Sequence, residues 1–345
     1  MSVLEIESVD PYDDPAVDAW HGVYAAAERF EREEVATPWQ LEEMRVMLQA
    51  AGSRVAFAAW VGRVGGDVVA TGFLRMPLQD NVDRAEVAVH VRPEHRRRGL
   101  GRYLAERLEM EASARGRSTL YAEVGWDVEG GSDGAARPSA EFARAMGYDL
   151  ALSDVQRELD LPVGDDVLRA LADEAAIQHE GYELRSFAGA VPDDLVEGWT
   201  VLLGALSTEA PTGDLDLEPE AISVEAHREA EDVVRRQGRS KYNTVAVDLR
   251  GAVVAYTDLA TTIHEPGRAY QWGTLVRRAD RGHRLGLAVK VANLRLLQQE
   301  RPDIERVITW NAESNSHMVE VNERLGFRAV GRMGEFQKRL RSTVG

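Results

Sequence analysis

The chain has 345 residues and sets 41 lysines and arginines against 58 aspartates and glutamates, for a net charge of −17. With no cysteine it has no disulfide, thiolate metal ligand or cysteine nucleophile, and its eight histidines show no metal-ligand spacing. Such acidity disfavours binding to a nucleic-acid backbone and suits a cationic small partner. No stretch nears the ~20 apolar residues needed to cross a bilayer, and the N-terminus lacks a signal pattern. These features read as a cytoplasmic protein with neither nucleic acid nor membrane as partner.

Residues 3–9 alternate and predict a first strand. Pro15 opens a helix with Val17, Trp20, Val23 and Tyr24 as its stripe, and a second follows with Thr37 as its cap. Residues 54–61 and 68–77 read as a hairpin around Gly65-Gly66-Asp67. The next strand, Val87-Ala88-Val89-His90-Val91, is ended by Pro93. A strand at 119–124, a Gly- and Asp-rich loop at 127–138 that reads as mobile, a short helix at 139–146 and a strand from about 148 to 161 complete a first domain, 1–161. A helical pattern within 162–181 reads as a connector, and 182–345 forms a second domain. There the expected elements are strands at 182–187, 245–249, 253–259, 270–276, 307–311 and about 338–340, and helices at 194–206, 224–237 and 316–325. The acidic loop 208–220 reads as a lid or as a solvated connection.

Between the strand ending at Val91 and a helix with Leu100, Leu104 and Leu108 on one face lies Arg96-Arg97-Arg98-Gly99-Leu100-Gly101-Arg102. A basic glycine turn at a helix N-terminus offers unpaired N–H groups, a favourable dipole and arginine donors, which together suit phosphate. The unit recurs. Val276 to Gly286 aligns without a gap on Val91 to Gly101, placing Arg281-Gly282-His283-Arg284-Leu285-Gly286 on the first turn. A second helix follows, with Leu287, Val291, Leu294 and Leu297 on one face.

Both halves resemble the GNAT superfamily of acyl-CoA-dependent N-acyltransferases. Arg96, Gly99 and Gly101 match its Arg/Gln-x-x-Gly-x-Gly/Ala turn, and Asn315, Met318, Gly326 and Phe327 match its later asparagine-to-Gly-Phe pattern. The tandem arrangement is similar to that of mycothiol synthases. The resemblance implies an α/β fold with a mixed sheet in each of two GNAT-like domains. It also implies acetyl-CoA as cofactor, its pyrophosphate on the turn amides and its pantetheine arm along Val89, His90 and Val91. In the second domain Asn311, Asn315 and Asn322 cluster, and read either as holders of a pantetheine or substrate or as helix caps and turn formers. The acceptor it implies is a primary amine of a small molecule or peptide, which attacks the thioester directly.

The chain departs from the pattern at four positions. Arg284 stands where the family has its first glycine. Ala136 replaces the asparagine before Gly147-Tyr148. Ala143 and Asn322 stand where many members carry a tyrosine acid. Glu123 is the expected base by its likeness to a strand glutamate of the family, with His90 and Glu86 as rivals, and Tyr121 or Tyr103 as substitute acids. A non-catalytic acetyl-CoA-binding scaffold is the alternative. A nucleotide-phosphate enzyme is disfavoured, because no Gly-Lys-Ser/Thr follows the turn.

Overall fold

The computed structural model describes residues 4–50 and 52–340. Val3, where the expected first strand begins, and residues 341–345 lie outside them. The first part of the chain runs β1 (Glu5–Ser8), α1 (Asp14–Arg29), α2 (Leu41–Gln49), β2 (Val55–Val64), β3 (Asp67–Pro77), β4 (Arg84–Val91), α3 (Leu100–Ala114), β5 (Thr119–Trp126) and α4 (Pro138–Ala145). The Asp13 carboxylate caps α1 by accepting from the Ala16 N–H. Val17, Trp20 and Val23 form its buried stripe, as the sequence predicts. Thr37 does not cap α2. The cap is Gln40, whose N–H donates to the Glu43 carboxylate at 3.0 Å, three residues on.

The chain continues with β6 (Asp149–Asp160), α5 (Asp165–Ala176), β7 (Tyr182–Ala188), α6 (Val196–Glu209), α7 (Val224–Arg236), β8 (Arg239–Asp248), β9 (Val253–Thr262) and β10 (Arg268–Val276). It ends with α8 (Leu285–Glu300), β11 (Arg306–Ala312), α9 (Ser316–Leu325) and β12 (Arg328–Arg339). No helix among the described residues is long and apolar enough to cross a membrane.

Two compact units result, and they are not the contiguous halves 1–161 and 182–345. One holds the chain up to Ser153, Gly213–Leu215 and the chain from Gly331, and the other holds Asp154–Thr212 and Asp216–Val330. In the first unit the strand order is β1-β2-β3-β4-β5-β12; in the second it is β7-β8-β9-β10-β11-β6. The closing strands are thus exchanged. β12 pairs antiparallel with β5, and residues 154–160 of β6 pair antiparallel with β11. Side-chain burial fits this pairing: Phe336 of β12 is fully buried in the first core with Leu120 and Tyr148, whereas Leu159 of β6 packs with Val307 and Leu325 in the second. The expected connector is also part of the second unit, for Leu168, Leu171 and Ala175 of α5 share a core with Leu287 and Val291 of α8. In the acidic loop 208–220, the Asp214 N–H donates to the Ala151 carbonyl at 3.0 Å.

Since β5 takes its outer partner from the end of the chain, a fragment of residues 1–181 should show no cooperative thermal transition. Adding a peptide of residues 328–340 should restore one. A sharp melt of the fragment alone would contradict the exchange.

Candidate active site

β4 and β5 run parallel but share only three register pairs, Arg84 with Thr119, Ala85 with Leu120 and Glu86 with Tyr121. Beyond these pairs the strands part. β3 covers the far edge of β4 as far as Val91, and β12 covers the far edge of β5. The facing edges, residues 87–91 and 122–126, border a cleft of about 380 Å³ with Val89, Ala105 and Phe142 among its apolar walls. An unpaired strand edge presents N–H and C=O groups to any extended ligand laid along it.

The basic turn lies at this cleft. Arg97 (φ 63°) and Gly99 (φ 82°) both adopt the left-handed conformation. Alternation between right- and left-handed backbone turns successive N–H groups toward one point and forms an anion-binding nest. Among the described residues no side chain caps the first amides of α3, which leaves its positive end open. Arg97 and Arg98 are exposed, Arg97 lines the cleft, and among the described residues neither forms an ion pair. Arg96 plays another part: its guanidinium donates to the carbonyls of Val91 (3.1 Å) and Ala27 (3.3 Å) and lies over the Phe30 ring. It braces the end of β4 against the end of α1. Arg102 is exposed and donates to the Ala145 carbonyl.

The two expected catalytic residues line this one cleft, His90 from β4 and Glu123 from β5. His90 Nε2 lies 3.2 Å from Glu28 Oε1, its Nδ1 is buried with no partner among the described residues, and its ring meets the edge of Tyr24. Burial alone would raise the Glu28 carboxyl. The His90 hydrogen bond and the charges of Arg32 and Arg96 outweigh burial and hold it below the ordinary value. Neither Glu28 nor Arg32 is visible as a site residue in the sequence, where both sit in the charged run Glu-Arg-Phe-Glu-Arg-Glu-Glu that reads as a solvated face. Only the helical phase from Trp20 through Tyr24 to Glu28, steps of four residues on one face, offers a signal.

Other candidates fall elsewhere. Glu86 is not in the cleft wall; burial raises its carboxyl, opposed by the charge of Arg75. The Tyr121 hydroxyl accepts from Arg75 Nη1 at 3.0 Å, and burial raises it, so it is a poor proton donor. Tyr103 is exposed on α3. Ala143 lines the cleft and offers no hydroxyl. The loop 127–137 is tied down, with Asp127 accepting from Arg137 (2.8 Å) and from the Gly130 N–H, and Trp126 Nε1 donating to the Gly131 carbonyl.

The second unit repeats the geometry. β10 and β11 share the three pairs Arg268–Arg306, Ala269–Val307 and Tyr270–Ile308 and then part. Its turn is left-handed at the same two places, Gly282 (φ 90°) and Arg284 (φ 53°), so glycine and arginine have traded positions relative to Arg97 and Gly99. Its cations are engaged. Arg284 Nη1 lies 2.5 Å from Glu174, Arg281 pairs with Glu209 and donates to the Val276 carbonyl, and the His283 ring packs on Tyr182 with Nδ1 at the Asp280 carbonyl. Asn315 caps α9 through the Met318 N–H, and Asn311 accepts from Asn322. A bulge between Gln271 and Gly273 turns the Gly273 N–H onto Asp258 at 2.7 Å.

The acetyltransferase (GNAT) family model matches residues 20–130, which include the cleft's strands and turn. A tandem GNAT protein from the clavulanic acid biosynthesis pathway, solved without acetyl-CoA, is 30% identical with a TM-score of 0.79, covering 98% of each chain. A GCN5-related N-acetyltransferase from Sphaerobacter thermophilus shares the fold at 17% identity and TM-score 0.63, with 99% of this chain and 97% of that one covered. N-myristoyltransferase from Saccharomyces cerevisiae with bound myristoyl-CoA does so at 11% and 0.59, over 99% and 80%. Sequence comparison with curated proteins finds no match.

The Glu28 carboxylate should contribute about 1–2 kcal/mol to stability through its hydrogen bond with His90. Because that carboxyl is held below its ordinary 4.5, the contribution is complete above that pH and is lost as pH falls through the lower folded value. Urea melts of the wild type and Glu28→Gln should differ steadily from pH 7 to about 5 and converge toward pH 3. A gap that widens in acid would contradict the pairing.

Proposed function

The chain belongs to the GNAT acyltransferase family, a family that binds acyl-CoA, and from that premise we propose that its first unit transfers an acetyl group from acetyl-CoA to a primary amine of a small molecule or peptide. The carrying observation is the contrast between the two turns. At the first, Arg97 and Arg98 are exposed and among the described residues neither is ion-paired, although Glu28 and Glu123 line the same cleft, and no described side chain caps the end of α3. At the second, Glu174 and Glu209 already sit on Arg284 and Arg281, and a pyrophosphate would have to displace both. The first cleft also fits the shape of the ligand, with a nest for a diphosphate at one end and a bare strand edge along which an amide-containing arm can pair.

Bound acetyl-CoA supplies the acyl group: the acceptor nitrogen bonds to the carbonyl carbon as the C–S bond breaks and the thiolate leaves with the electron pair. N–H groups on the free edge of residues 87–91 polarise the carbonyl where negative charge develops. Glu123, exposed at the cleft, takes the proton that the nitrogen loses, directly or through one water. Across the cleft the Glu28–His90 pair fixes a negative charge that draws in the acceptor as an ammonium, which gives one proton to solvent before the neutral nitrogen attacks and its second proton goes to Glu123. With Ala143 at the tyrosine position no side chain need protonate the leaving group, since a thiol with a pKa of about 8.5 departs as thiolate. Orientation then carries most of the catalysis.

Because the protein has no thiol of its own, released CoA can be followed with a thiol reagent against an amine panel. The first-turn variant Arg97→Ala with Arg98→Ala should weaken acetyl-CoA binding about 10- to 100-fold, the loss of one or two charge-assisted contacts. Arg281→Ala should leave it within about twofold, since that arginine already has its carboxylate partner. The reverse pattern in calorimetry would move the site to the second unit. Binding without amine-stimulated thiol release would favour the non-catalytic scaffold.

A further inference from the structure

Arg32 is the unexplained group in the first cleft. It follows α1 in the turn where the N–H groups of Val35 and Ala36 bond to its own carbonyl. Its side chain is only 19% exposed, yet among the described residues its guanidinium makes no hydrogen bond. Nε is buried without a partner. The nearest carboxylate oxygen, on Glu28, stands 4.0 Å away and the same side chain is engaged by His90. Asp127, the other acid acting on it, is occupied by Arg137 and the Gly130 N–H. A guanidinium carries five donors in a planar fork, and leaving them unmet in a desolvated place is costly. The fork is matched by a carboxylate, which accepts two parallel N–H bonds.

Gly125 leaves the room that the Arg32 guanidinium occupies. A Cβ built there would lie 2.1 Å from Arg32 Nη1 and 2.5 Å from Cζ, so the guanidinium rests on the face of β5 to which residue 125 would point a side chain. Glu123, two residues earlier, points to that same face, about 7 Å along the strand. The cleft wall therefore places a carboxylate-binding fork one short step from the group assigned to receive the amine's proton.

Resting on the reading above, we infer that the acceptor is an amino acid with a free carboxylate, held by Arg32 while its amino group, one or two carbons away, lies at Glu123. The smallness of Gly125 is part of the device, since any side chain there would drive the guanidinium off the strand.

The test pairs each of a set of α- and β-amino acids with its primary amide, as acceptors with acetyl-CoA on the full-length protein. Thiol release gives kcat/KM, and calorimetry on the CoA-loaded protein gives affinity. For the preferred side chain the free acid should exceed its amide at least tenfold in both measurements. Arg32→Gln should close that gap, Arg32→Lys should keep part of it, and Gly125→Ala should narrow it with the charge still present. The Gly125 variant also decides the matter if Arg32→Gln fails to fold. Equal use of acid and amide, an equal loss for both in Arg32→Gln, or acetyl-CoA binding with neither member of any pair bound would overturn the inference. Failure to bind acetyl-CoA would instead overturn the acetyl-transfer reading on which it rests.

Discussion

Everything at the first cleft depends on two parallel strands that pair for three residues and then separate. Backbone N–H and C=O groups left unpaired inside a protein are costly, and a sheet normally satisfies them with the next strand. Here β4 and β5 each keep a partner on the outer edge, β3 and β12, and give up the inner one past Glu86 and Tyr121. The gap is held open from both ends of the chain, by Arg96 bracing β4 against α1 and by a C-terminal strand seated on β5. A ligand that contributes a strand-like arm fills the missing place, and the nest at residues 97–99 receives its charged end.

The second unit has kept the geometry and changed the chemistry. Both turns need a left-handed residue at two positions, a conformation that costs a non-glycine residue about 1–2 kcal/mol. Each turn meets one demand with glycine and the other with arginine, in opposite order. The backbone shape therefore persists although the glycine signature is broken at Arg284. What distinguishes the two is the acidic side chains that α5 and α6 bring onto the second turn. Duplication has given one open cradle and one occupied by the protein's own carboxylates.

Much of this was legible in the sequence because it is written in local chemistry. Strand alternation before Pro93, the leucine spacing of α3 and the ungapped repeat of the turn name the strand–turn–helix unit twice. The exchange of closing strands was not legible. β12 carries Gly331 and Gly334 and lacks a clean apolar alternation, so only its last residues read as strand, and no pattern tells a chain which of two similar sheets it will close. The engaged state of Arg281 and Arg284 was hidden for a related reason, as Glu209 and Glu174 lie far off in sequence on helices that look merely solvated. Arg32 and Glu28 were lost in a charged run, because periodicity separates buried from exposed faces only when the buried face is apolar.

Amide hydrogen exchange with and without acetyl-CoA probes the cleft without altering the protein. Slowed exchange at residues 89–91 and 97–102, with 274–276 and 282–287 unchanged, is the result expected if the parted strands and open nest of the first unit hold the cofactor. Protection confined to the second turn, or absent from both, would contradict the account at its root.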